Sequence, residues 1–114
     1  MRLTTDFWVS ALIRRIFADG GFAAIVERGA TEAGAVFILV RRRSGDLCLY
    51  GPAPQTSYDA GRPDDRHFSP VAEGDSEALE TRLAGEKRFD SDIWIVEIEA
   101  GQTSIEDLIV VRTP

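Results

Sequence analysis

Hydrophobic and polar positions along this chain follow two periods, and the switches between them delimit its elements. Over residues 4 to 19, TTDFWVSALIRRIFAD, the apolar residues Trp8, Val9, Leu12, Ile13, Ile16 and Phe17 fill one half of a helical wheel, while Ser10, Arg14 and Arg15 lie on the other. The spacing predicts an amphipathic helix. Thr4 or Thr5 caps its first turn, Asp6 suits the positive end of its dipole, and Gly20 with Gly21 stops it. Phe7 falls outside the apolar arc, a position suited to contact with another segment or a second subunit.

From Phe22 the period shortens to that of a strand. FAAIVER reads as one strand, RGATEAG as punctuation, and AVFILVRRR as a central strand, because Val36, Ile38 and Val40 on one face and Ala35, Phe37 and Leu39 on the other are all apolar. Ser44 and Gly45 turn the chain into a hairpin that returns through Leu47 to Tyr50. Residues 51–66, GPAPQTSYDAGRPDDR, have no apolar period and read as a long loop. HFSPV then reads as a short edge strand, since Pro70 lacks a ladder donor. GDSEALETRLAGEKR is a second helix, capped by Asp75 or Ser76 and buried through Leu79 and Leu83. In FDSDIWIVEIEAG, Trp94, Val96 and Ile98 share one strand face, and Ile93, Ile95, Glu97 and Glu99 share the other.

The expected fold is α+β: a two-layer sandwich with an antiparallel sheet of four to five strands in meander order and two helices on one face. Residues 1–100 form the single domain and 101–114 a C-terminal tail, whose LIVV run can add a strand to an edge of this sheet or of a neighbour's.

Composition narrows the function classes. The chain has 114 residues, 44% of them hydrophobic and 28% charged, enough for one small core. Its 13 basic against 19 acidic residues leave a net charge of -6, which repels a phosphate backbone, so nucleic acid is not an expected partner. No window approaches the roughly 18 consecutive apolar residues of a membrane span. Arg14 and Arg15 are not read as an export signal, because Asp19, two glycines and Glu27 interrupt the stretch after them. The lone Cys48 has no disulfide partner and makes no zinc site by itself, so a reducing cytoplasm is expected, with Cys48 in the core between Leu47 and Leu49.

Candidate chemistry rests on a few polar residues. Glu97 and Glu99 lie roughly 6.6 Å apart along their strand, a spacing every i, i+2 strand pair shares. The run EIE has glutamate where a metal nuclease places lysine, so no metal and no cofactor are expected. Asp90 and Asp92 are expected to bond local backbone amides, and Glu97 and Glu99 to be solvated or paired with arginines of a neighbouring strand. Arg41, Arg42 and Arg43 read as charges that keep a strand end soluble, with anion binding as the alternative. A non-enzymatic interaction module or homo-oligomer, a homodimer in the simplest case, is the first functional reading. The alternative is a small-ligand or metal-dependent hydrolytic site near the 51–66 loop and the 92–99 strand, built from Tyr50, Gln55, Tyr58, His67, Asp92 and Glu97.

Three blocks, FWVSALIRRIFADGGFAAIVERGATEAGAVFILVRR, LYGPAPQ and RFDSDIWIVEIE, in this order and spacing, resemble the short alphaproteobacterial proteins of domain-of-unknown-function family 1491. The resemblance implies a compact cytoplasmic bacterial domain and carries no catalytic residue over. It directs attention to LYGPAPQ and FDSDIW as the polar and aromatic parts of the pattern.

Overall fold

Both long helices begin where their capping residues place them. Thr4 Oγ1 accepts from Phe7 N at 3.2 Å at the start of α1 (Thr5–Ala18), and Asp75 Oδ1 accepts from Ala78 N at 2.9 Å at the start of α2 (Ser76–Phe89). A computed structural model of the protein describes residues 3–53 and 66–112. Between and after these helices run β1 (Phe22–Glu27), β2 (Val36–Arg41), β3 (Leu47–Pro52), β4 (His67–Gly74), β5 (Trp94–Glu99), a short α3 (Ile105–Leu108) and β6 (Val110–Val111).

The strands form one six-stranded mixed sheet in the order β1-β5-β2-β3-β4-β6. The expected antiparallel meander of four to five strands is corrected here, because β5 runs parallel to β2 and β6 parallel to β4. The chain leaves β4, crosses one face of the sheet as α2, and enters as β5 between β1 and β2. That slot buries both faces of Trp94, Ile95 and Val96, which an outer position would leave half wet.

The helices are also not on one face. Val9, Leu12 and Ile16 of α1 pack with Val36, Ile38, Val40, Trp94, Val96 and Ile98, whereas Leu79 and Leu83 of α2 pack on the opposite face with Phe37, Leu49, Ile93 and Ile95. Three layers result. The physical reason lies in β2 and β5, whose alternating residues are apolar on both sides, so each face of the sheet needs its own cover.

β4 is eight residues long rather than short, and β6 pairs only with His67 and Phe68. Pro70 lies beyond this outer partner, and a register shift in the β3–β4 ladder falls beside it. Ile105, Leu108 and Ile109 join the core under α1, and Arg15 Nη2 donates to Leu108 O at 2.8 Å. The LIVV run thus adds its strand to this sheet.

Candidate functional site

Tyr50, on β3, is the most buried of the candidate polar residues among the described residues, at 7% exposure, and faces the α1 side with Ile38 and Val96 of its row. Glu97 points to the other face, where Arg41 Nη2 meets its Oε1 at 3.1 Å. Asp92 precedes β5, about 16 Å along the strand from Glu97 at ordinary strand rise. His67 opens β4, and its Nδ1 accepts from Arg112 Nε at 2.8 Å, with β3 and β2 lying between β4 and β5. The structure does not bring Tyr50, His67, Asp92 and Glu97 together. Gln55 and Tyr58 lie outside the described residues, as does most of the 51–66 loop.

Of the two acids of FDSDIW, Asp90 bonds a local backbone amide through its carboxylate as expected, whereas Asp92 takes part through its backbone N–H and carbonyl. Asp90 Oδ1 accepts from Asp92 N at 2.9 Å, and Asp92 O accepts from Ala30 N at 3.0 Å, which together fix the entry into β5. Trp94 is wholly buried, its Nε1 donates to Ala30 O at 2.8 Å, and the Arg28 guanidinium lies 5.1 Å from its ring centroid. Glu97 is paired with an arginine of the neighbouring strand, as its place at the end of β5 implies.

A cleft of about 700 Å³ opens at the end of the sheet where β2 passes into its hairpin. Arg41, Arg42 and Arg43 form one wall, the segment from Glu99 to Glu106 forms the other, and Tyr50 lies at the buried end. The second wall is anchored to α1. Asp19 holds Thr103 through both carboxylate oxygens, and Gly21 and Gly101 touch backbone to backbone, so closely that a Cβ on Gly21 would lie 2.8 Å from Gly101 N. The Thr103 N–H and hydroxyl together hold the Asp19 carboxyl below its ordinary value.

The charges of this cleft divide into committed and uncommitted. Arg42 Nη1 lies 3.4 Å from Asp46 Oδ2 and 3.0 Å from Glu73 Oε2, and Arg41 is held by Glu97. Arg43, Glu99 and Glu106 have no ion-pair partner among the described residues. Burial pushes the Tyr50 phenol up to about 12, with Cys48 and the Glu106 carboxylate adding to the rise and Arg42 opposing it. Tyr50 therefore stays a neutral donor and acceptor over the physiological range. The sequence pattern singles out Tyr50 but not Glu106, because Glu106 lies in the segment that reads as a tail. The signal available there is TSIEDL, a capping serine before an acidic and apolar turn.

A search of curated proteins found no match. Solved structures do match. The solution structure of protein Atu0922 from A. tumefaciens is similar to this chain at 45% identity and a TM-score of 0.80, covering 99% of this chain and 98% of that one. A crystal structure of a DUF1491 family protein from Caulobacter crescentus CB15 is similar at 33% identity and a TM-score of 0.75, covering 99% of this chain and 100% of that one. Both organisms are alphaproteobacteria. The family model described as "Protein of unknown function (DUF1491)" matches residues 3–105, from two residues before α1 to the first residue of α3, and this chain belongs to that family.

Proposed function

We propose that this protein is a non-catalytic interaction module that self-associates through β1, one of the two outer strands of its sheet. The observation that carries this reading is the pattern on that strand: Phe22 is 52% exposed and Val26 57% exposed, with Ala24 midway between them. Val26 falls where the β1–β5 register shifts between Ile25 and Glu27, and antiparallel pairing about a two-fold axis near Ala24 brings Phe22 of each copy toward Val26 of the other. The strand is complementary to itself. Phe17, half exposed at the end of α1, packs edge-on against Phe22 with ring centroids 5.7 Å apart and widens the apolar strip. Main-chain ladder bonds across the pair supply affinity in the manner of strand addition.

Other features support the same class. Arg41 and Arg42 are neutralised by neighbouring carboxylates, which with the net charge of -6 disfavours a phosphate backbone. Cys48 is buried in the core, in keeping with a reducing cytoplasm. No helix among the described residues is long and apolar enough to cross a membrane.

The test is the mass in solution. Light scattering at high micromolar concentration is expected to give twice the 12.6 kDa of one chain, and Val26→Arg to return it to one chain with its circular dichroism spectrum unchanged. A monomeric wild type at that concentration overturns the proposal, as does a Val26→Arg protein that remains dimeric.

A further inference from the structure

The uncommitted charges of the cleft have opposite signs and come from different walls: Arg43 from the hairpin after β2, and Glu99 and Glu106 from the facing segment, at the end of β5 and in α3. A site for phosphate or another polyanion would leave its arginines free and keep carboxylates away. Here Arg41 and Arg42 are already held by Glu97, Asp46 and Glu73, and Glu99 and Glu106 stand in the opposing wall. A simple amine would satisfy Glu106 and meet an unpaired guanidinium. Only a ligand bearing both charges satisfies both walls.

We propose that this cleft binds a small zwitterion of the amino-acid class, with its carboxylate on the Arg43 guanidinium, its ammonium on the Glu106 carboxylate and the Tyr50 hydroxyl at the buried end as a further hydrogen-bonding group. The volume of about 700 Å³ lies within the usual range of small-molecule sites and admits a free amino acid or a dipeptide. The guanidinium fork of Arg43 suits a carboxylate held by two parallel bonds. The wall that carries Glu106 is positioned by the Asp19–Thr103 contact and by burial of Ile105 and Leu108, so the site is built on the fold rather than on a loose end. It uses none of the apolar residues of β1, and it stands or falls separately from self-association.

Amide NMR spectra of the full chain, titrated singly with the standard amino acids at millimolar concentration, test the assignment, with acetate, ethylammonium and inorganic phosphate as controls. At least one amino acid is expected to move the Arg43, Gly101 and Thr103 amides saturably, and each singly charged control to bind roughly tenfold more weakly or less, as loss of one charge-assisted contact implies. Arg43→Gln and Glu106→Gln are each expected to weaken the same response by roughly tenfold while the melting temperature holds. The absence of a saturable shift with every amino acid overturns the proposal. So does phosphate or acetate binding as tightly as the best amino acid, or binding that survives both substitutions.

Discussion

The Asp19 carboxylate accepts two hydrogen bonds from Thr103, from its backbone N–H at 2.7 Å and from its hydroxyl at 2.7 Å, across 84 positions of sequence. This contact ties the end of α1 to the segment after β5. Because Thr103 bonds the ionised form, the Asp19 carboxyl titrates below its ordinary 3.8. The unfolded chain therefore binds a proton at higher pH than the folded one. The stabilisation is present above the ordinary value and is lost as pH falls through the depressed one. Asp19→Asn is expected to flatten the acid limb of melting temperature against pH, and Thr103→Val to lower the neutral melting temperature by roughly 3 °C. Thermal melts from neutral pH to about pH 3 check both.

Two glycines are expected to respond in opposite directions to the same substitution. A Cβ on Gly101 would meet Asp19 O, Gly21 N and Gly20 C, all backbone atoms that cannot rotate away, so Gly101→Ala is expected to destabilise by about 2 kcal/mol. Gly85 lies inside α2 with nothing near its Cβ position, so Gly85→Ala is expected to stabilise by about 0.8 kcal/mol. Denaturant unfolding of both variants at one pH measures the two signs. Undiminished stability in Gly101→Ala would mean that the Gly21–Gly101 contact is loose enough to admit a methyl group.

Leu108 sits in the core at 8% exposure and its carbonyl accepts from Arg15. Leu108→Ala is expected to cost about 3 kcal/mol, the ordinary penalty of a buried leucine. A surface tail would lose less than about 0.5 kcal/mol on the same change. Equilibrium unfolding separates these outcomes widely.

Arg42 bridges two carboxylates, Asp46 and Glu73, but all three side chains are at least 40% exposed. Exposed pairs contribute little, so Arg42→Gln is expected to change stability by less than about 0.5 kcal/mol. A larger loss, read from the same unfolding curves, would place the pair in a drier environment.

Local elements are legible in the sequence because their causes are local. The spacing of Val9, Leu12 and Ile16 specifies α1, Asp75 starts α2, and the two-sided apolar pattern of β2 marks a central strand. The place of β5 is not legible. Its pattern is that of an inner strand, but which neighbours flank it depends on where α2 crosses the sheet, and a meander is equally compatible with each strand taken alone. The expectation of both helices on one face fails for the same reason: amphipathicity says that a helix covers something, not which side of the sheet it covers. At the cleft, Tyr50 stands out as an aromatic with a polar handle. It lines one cleft with Arg43 and Glu106, residues from β3, the hairpin and α3, and no sequence spacing encodes that meeting.

Tyr50 supplies a direct reading of how dry the cleft floor is. Burial is the main cause that carries its phenol from the ordinary 10.0 up to about 12, with Cys48 and Glu106 reinforcing the rise and Arg42 opposing it. The chain has two tyrosines, so in Tyr58→Phe the phenolate absorbance reports Tyr50 alone. The folded state keeps the proton to higher pH than the unfolded state does, so stability falls as pH rises from about 10 to about 12, and none of this contribution is lost below that window. The absorbance midpoint is expected near 12 with native circular dichroism, or to coincide with loss of the helical signal where unfolding comes first. Glu106→Gln removes one negative charge beside the phenol and is expected to lower the midpoint. A midpoint at 10.0 in a protein that keeps its native spectrum would place the hydroxyl in open water, and would remove Tyr50 from the buried end of the cleft.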